Sequence, residues 1–327
     1  MQKKKWLFLS LSLIATILII NTSLMYWSDT YSVAHVKREH FYTEPNMRVL
    51  GVAYILENKT KYDSFIFGSS RVGNINPFKI KNGSYYNMSY SEGIPKEHLL
   101  NIELFLKENI KIKNLLIGLD DISYQVSFLK HQTQGLTKLH PLATNTSYFH
   151  FYRDFFFRFA QGDDRSHLVA KIKNPNNYIT LNISQERTIY TKMVQDRLAG
   201  DYSSTAHKEK EEFDKPAFYT GNTLKEAIDA IKQIKNICTL NDINCTFFIN
   251  PIHHKSYQYL NHELLSEFKD ELVHITDFYD FTYPNPINND NFYWYETAHF
   301  RGVVGDLMIN EFGKKEKASY GIYHPKI

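Results

Sequence analysis

The sequence is poor in cysteine, in blocks of like charge and in long apolar runs. Each scarcity narrows what the chain does. Two cysteines, Cys238 and Cys245, stand among 327 residues. Neither lies in a Cys-His pattern, which disfavours a thiol nucleophile. The first falls at the end of an expected helix and the second at the start of an expected strand. A disulfide across that turn is open to them outside the cytoplasm, and two small buried hydrophobes are the plainer alternative. Lys and Arg number 38 against 35 Asp and Glu, a net charge of +3. No basic block appears after residue 5, so nothing marks a nucleic-acid partner. Only one apolar run is long enough to cross a membrane, and no internal repeat is found.

What is present supports a sizeable core, since 43% of the residues are apolar and 15% aromatic. The length fits one N-terminal anchor plus one large α/β domain with an insertion. The anchor is "WLFLSLSLIATILIINTSLMYW", Trp6 to Trp27, which carries no charge. At about 1.5 Å per helical residue it crosses a hydrocarbon core of about 30 Å. Lys3, Lys4 and Lys5 precede it and no lysine follows closely. That bias places the N-terminus in the cytoplasm and the rest outside, as a single-pass membrane protein. A cleaved signal peptide is the rival, but its apolar region would be shorter, and no small-x-small site precedes Tyr26. Residues 1–27 are thus expected to form a cytoplasmic tip and anchor. Residues 28–60, interrupted by Glu44 and Pro45, read as a membrane-proximal stalk.

Beyond residue 60 strand-like and helix-like segments alternate. "SFIFG" (64–68), "SYYNMS" (84–89), "NLLIGL" (114–119), "CTFFINP" (245–251) and "VHITDF" (273–278) read as strands. "HLLNIELFLKENI" (98–110), "NTLKEAIDAIKQIKNIC" (222–238), "NHELLSEFKDEL" (261–272) and "GVVGDLMINEF" (302–312) read as helices. Thr223 and Glu226 have capping-box spacing. Continuously apolar strands alternating with amphipathic helices predict a parallel sheet covered on both faces. Residues 122–221 break the rhythm and read as a mostly helical insertion. They include the aromatic helix "YFHFYRDFFFRFA" (148–160) and a charged stretch, 201–216, expected to be an exposed loop. Core packing is the default for the aromatic helix, with a membrane or a partner as alternatives.

In parallel sheets ligands bind beyond the carboxyl ends of the strands. "GSSR", Gly68 to Arg71, lies at such an end. A turn needs only one serine there, whereas a nucleophile needs a rigid support behind it and open space ahead. A serine hydroxyl needs a base, usually a histidine oriented by a carboxylate. Among fourteen histidines, His299 has such a neighbour in "ETAH", with Glu296 three residues before it. Arg71 has two readings, a contact to a carboxylated or phosphorylated carrier and a surface ion pair. Asn87 either shapes the site or satisfies backbone at a strand end. The paired histidines of "NPIHHKSY" (250–257) lack the further ligands that a metal requires.

Together these segments resemble the SGNH, or GDSL, hydrolase superfamily. Gly68-Ser69-Ser70 is similar to its first block, which selects Ser70 as nucleophile. "YNMSYSEG" (86–93) resembles the second, with Gly93 as the glycine whose N–H serves the oxyanion. "LIGLDD" (116–121) stands where the family has Gly-x-Asn, and "ETAH" resembles the closing Asp-x-x-His. Asp120 thus replaces an asparagine, and Glu296 replaces an aspartate. An ionised carboxylate cannot donate to an oxyanion as that amide does. The resemblance implies a flavodoxin-like doubly wound sheet. It implies catalysis by Ser70, His299 and Glu296, with Ser70, Gly93, Asp120, Asn87 and Arg71 around the oxyanion or substrate, and no cofactor or metal. More narrowly the pattern is similar to membrane-anchored envelope members that serve teichoic acid D-alanylation and alginate acetylation. Those imply acyl transfer or deacylation on a surface polysaccharide, an acyl-carrying donor, and a membrane-bound O-acyltransferase as partner. A catalytically inactive scaffold that binds glycan or that partner is the alternative from another class.

Overall fold

The computed structural model describes residues 2–29, 33–34, 40–41, 45–135, 137–161, 165–176, 179–180, 213–315 and 319–327. Most of the expected loop at 201–216 lies outside these residues. The principal helices, in chain order, are α1 (Gln2–Ser28), α2 (Met47–Glu57), α3 (Pro95–Lys107), α4 (Asp121–Gln125), α5 (Tyr148–Gln161), α6 (Arg165–Lys173), α7 (Leu224–Leu240), α8 (His262–Ile275) and α9 (Gly302–Glu311). The strands of the main sheet are β1 (Ser64–Phe67), β2 (Tyr85–Asn87), β3 (Asn114–Leu119), β4 (Asn244–Ile249), β5 (Phe278–Asp280) and β6 (Ile322–His324). Two compact units divide the chain. Within the described residues one draws on 2–53 and 134–180, the other on 54–133 and 213–327.

The first unit is helical. Its α1 covers the whole apolar run, is long and apolar enough to cross a membrane, and is not buried inside the protein. The helix α5 buries Phe151, Phe155 and Phe159, spaced four apart, so one stripe faces inward. Phe151 and Phe155 join Val33 and Val49, with Met25 of α1 packed against them. A two-residue antiparallel ladder pairs His40–Phe41 with Ile179–Thr180.

The second unit is built on a six-stranded sheet in the order β2-β1-β3-β4-β5-β6. Its first five strands are parallel, and β6 closes the edge antiparallel to β5. The order 2-1-3-4-5 is that of doubly wound sheets of the flavodoxin type. All residues of β1 and β3 are buried, which explains why these segments read as unbroken apolar runs. Alternation along β1 divides its side chains between two layers. Phe65 and Phe67 meet Phe105 of α3, with ring centroids 5.1 and 6.4 Å apart. Ile66 points the other way, into a cluster with Val72, Leu116, Phe248, Trp294, Phe300 and the α9 residues Val304 and Met308. On the first face α7 lies between α3 and α8. Cys238 of α7 is joined to Cys245 of β4, with their Cα atoms 6.2 Å apart.

Three local expectations are corrected. Thr223 and Glu226 do not form a capping box. Thr223 Oγ1 donates to the Val126 carbonyl at 3.2 Å, and Glu226 Oε1 accepts from Phe128 N at 3.1 Å. Both side chains tie α7 to the segment after α4, and Asn222 Oδ1 caps Leu224 N instead at 3.1 Å. Val273 to Ile275 complete α8, because Leu272 and Ile275 continue its buried stripe, and the strand begins only at Phe278. The last strand is β6, which three half-polar edge residues did not reveal. Residues 122–133 lie in the sheet unit, and among the described residues the chain passes between the units at 53/54 and 133/134.

Phe105 is fully buried between Phe65 and Phe67. Phe105→Ala is expected to cost about 3–5 kcal/mol of unfolding free energy, measured by urea titration.

Candidate active site

The chain leaves β1 at Phe67 and turns at Gly68 into a short 3₁₀ helix, Ser70–Asn74. A Cβ on Gly68 would lie 2.8 Å from the Val72 methyls and 2.9 Å from the Gly118 carbonyl, so only glycine fits. The two serines divide the labour. Ser69 is buried and caps the turn, accepting from Arg71 N at 3.3 Å and donating to Asp120 Oδ2 at 2.5 Å. Ser70 is half-buried, and its Oγ lies 2.7 Å from His299 Nε2. Asn87, at the end of β2, supports the turn from below. Its amide donates to the carbonyls of Val72 and Ile75, and its oxygen accepts from Ser89 N.

Glu296 and His299 sit on a narrow loop. Trp294 and Phe300 pair as an isolated antiparallel bridge, both fully buried. Tyr295 N donates to the His299 carbonyl at 2.9 Å, and the Trp294 indole donates to the Ile287 carbonyl at 3.1 Å. Thr297 Oγ1 donates to the Lys215 carbonyl at 2.6 Å, and Ser256 Oγ donates to the Thr297 carbonyl at 2.9 Å. Inside this closed loop Glu296 Oε1 accepts from His299 Nδ1, and Glu296 Oε2 accepts from Ala298 N at 2.6 Å. With Nδ1 protonated, Nε2 is the lone-pair nitrogen facing Ser70. Burial pushes the Glu296 carboxyl up, but His299, the Ala298 N–H and Arg71 outweigh it and hold it below the ordinary carboxylate range. The loop therefore presents an ionised carboxylate, an oriented imidazole and a serine hydroxyl in line. That is a charge-stabilised route for removing the serine proton.

Arg71 is only 4% exposed. The ion pair expected at the surface is instead a buried one. Its guanidinium pairs with Asp121 Oδ1 and lies 3.4 Å from Asp120 Oδ2. Its Nε donates to the Ala298 carbonyl at 3.1 Å. The residue after Ser70 is thus bonded to the residue before His299. Burial pushes the Asp120 carboxyl above its ordinary range; Arg71 opposes the shift and Asp121 adds to it.

The structure brings Ser70, His299, Glu296 and Arg71 together. Gly93 lies beside them, since a Cβ there would collide with the Gly68 carbonyl. Its N–H is bonded to the Tyr90 carbonyl at 3.3 Å, a long bond for a backbone pair. Asp120 faces Ser69 rather than Ser70, and Asn87 has its amide committed to backbone. Neither offers a donor to a group on Ser70. Two further contributors come from the 250–257 segment, whose paired histidines the sequence marked without assigning them this role. Asn250, at the carboxyl end of β4, donates to Asp120 Oδ2 at 3.2 Å. His253 is fully buried and bonds Asn291 Oδ1 through Nε2 at 2.9 Å, while its Nδ1 accepts from Lys255 N. Its ring meets the Trp294 edge with centroids 5.2 Å apart. Asparagine after an apolar strand, and a histidine three residues on, were the available signals. Among the described residues no group of His, Cys, Asp and Glu is arranged to hold a metal ion.

Two outcomes follow from these contacts. Arg71→Met leaves Asp120 and Asp121 buried without their cation, and is expected to cost about 3–5 kcal/mol in urea unfolding. Burial lowers the His253 pKa from 6.5 to about 4. The folded protein resists protonation there while the unfolded chain accepts a proton below 6.5, so stability falls as pH drops from 6.5 toward 4. His253→Gln is expected to flatten the pH dependence of the unfolding free energy in that window. Compared with family models and with curated proteins, the chain matches none.

Proposed function

We propose that the chain is a membrane-anchored, SGNH-like serine acyltransferase or esterase. It acts on O-acyl groups of a cell-surface polysaccharide or related glycan through an acyl-serine intermediate. The observation that carries this reading is the 2.7 Å contact between Ser70 Oγ and His299 Nε2, with Glu296 on the far side of the ring. Supporting it are the strand-end position of Ser70, the apolar helix α1 and the Cys238–Cys245 bridge, which suits an extracytoplasmic domain.

In the proposed reaction His299 Nε2 takes the Ser70 proton as Oγ attacks an ester or thioester carbonyl. The tetrahedral oxyanion collapses, and the leaving alcohol or thiol takes the proton back from His299. Water or a sugar hydroxyl then attacks the acyl-serine and gives its proton to His299, which passes it to Ser70 Oγ as the acyl–serine bond breaks. The oxyanion draws on the Ser70 N–H and on the Gly93 N–H once it leaves the Tyr90 carbonyl. Each donor of this kind supplies about 3 kcal/mol. Transfer is favoured over hydrolysis by place, because a tether holds the domain where membrane-borne acyl donors emerge. A multispanning O-acyltransferase is the partner that this reading implies.

A second reading, an SGNH-like scaffold that binds glycan or such a partner without turnover, has one observation in its favour. Asp120 offers no donor, and the Gly93 N–H is already engaged.

A fluorophosphonate probe separates the two. The catalytic reading expects covalent labelling of the wild type at Ser70 and none of Ser70→Ala. It also expects aryl acetate turnover to fall by about 10³-fold or more in both Ser70→Ala and His299→Ala. Folded wild-type protein that does not label supports the scaffold.

A further inference from the structure

We propose that the outward faces of α5 and α6 lie in the lipid headgroup layer, beside the C-terminal end of α1. This rests on the membrane-anchored reading above and adds a second, interfacial contact between protein and bilayer. Depth is set by α1. From Trp6 to Tyr26 the helix rises about 30 Å, one hydrocarbon thickness. Met25, Tyr26 and Trp27 therefore stand at the boundary with the headgroups, where tryptophan and tyrosine are favoured.

Both helices are fastened to that end. Met25 packs on the cluster that holds Phe151 and Phe155 of α5. Lys171 of α6 donates to the Trp27 carbonyl at 2.8 Å, and its ammonium lies 4.4 Å from the Trp27 ring centroid. Whatever packs directly against Met25 and Trp27 shares their depth to within about a helix diameter.

The unused faces have the composition of an interfacial surface. While α5 buries Phe151, Phe155 and Phe159, it turns Phe149, Arg153 and Phe157 outward at the same four-residue spacing. Phe149 is 73% and Phe157 54% exposed. On α6, Val169 and Ile172 are 45% and 62% exposed, with Lys173 beside them. A soluble helix hides such residues, whereas an interfacial helix sinks them among the acyl-chain ends and lets Arg and Lys reach the phosphates. The cations favour a bilayer containing anionic phospholipid.

The test uses the full chain in nanodiscs of phosphatidylcholine with some phosphatidylglycerol. The two native cysteines are joined, so a single introduced thiol can carry an environment-sensitive fluorophore. Labels are placed by Phe149→Cys, Phe157→Cys, Ile14→Cys within α1, and Phe292→Cys as an exposed site of the sheet unit. Lipids spin-labelled near the headgroup or deep in the acyl chain serve as quenchers. The expected result is deep quenching at Ile14, and headgroup-level quenching at both Phe149 and Phe157 several-fold above that at Phe292. Quenching at Ile14 with none above the Phe292 level at Phe149 and Phe157 overturns the interfacial contact and leaves the anchor standing. Absence of quenching at Ile14 overturns the anchor and this contact together. Shielding that needs an added membrane protein, with none in lipid alone, overturns it in favour of protein docking.

Discussion

The buried guanidinium of Arg71 is the constraint on which the site depends. Ser70 and His299 are 229 positions apart in sequence, yet their side chains lie 2.7 Å apart. A single hydrogen bond between half-exposed groups contributes about 1 kcal/mol and cannot by itself hold two loops in register. Arg71 does so from beneath, bonding the Ala298 carbonyl on one loop and the carboxylates after β3 on the other. The arrangement demands that Asp120 and Asp121 be paired, because buried unpaired charges cost several kcal/mol. It also accounts for two serines in the turn. Ser69 is bound to Asp120 within the polar layer, which leaves Ser70 to face the imidazole.

Much of this was legible in the sequence. The unbroken apolar runs of β1 and β3 read as central strands because both their faces are covered. The strand-end placement of Ser70 follows from that. Glu296 and His299 were legible because three-residue spacing on a closed loop puts both groups on one side. What sequence did not convey were choices made by tertiary contacts. Arg71 reads as a surface cation, since charged residues are seldom buried, and only the neighbouring acids after β3 make its burial tolerable. Thr223 and Glu226 have cap spacing, but distant carbonyl and amide groups compete for them and win. The edge strand β6 is short and half-polar, so no periodicity announces it.

The departures from the SGNH-like pattern concern the oxyanion more than the nucleophile. Where the SGNH-like resemblance expects an amide, Asp120 places a carboxyl whose Oδ2 accepts from Ser69 and Asn250 and lies near Arg71. The carboxylate has become part of the scaffold under the turn. Under the proposed acyl transfer the oxyanion draws on backbone N–H groups, of which that of Gly93 is bonded to the Tyr90 carbonyl. On the proposed reading Ser70 already has its base in place, and the Gly93 N–H would have to leave the Tyr90 carbonyl to serve the oxyanion.

The central claim is that Ser70 accepts an acyl group with His299 as its base. The most direct measurement is peptide mass spectrometry of the full-length protein, acid-quenched shortly after mixing with an activated acetyl ester. The account predicts an acetyl group on the peptide containing Ser70, absent from His299→Ala treated in the same way. Folded wild-type protein that carries no acetyl at Ser70, or carries it elsewhere and loses it at the same rate without His299, would contradict the account.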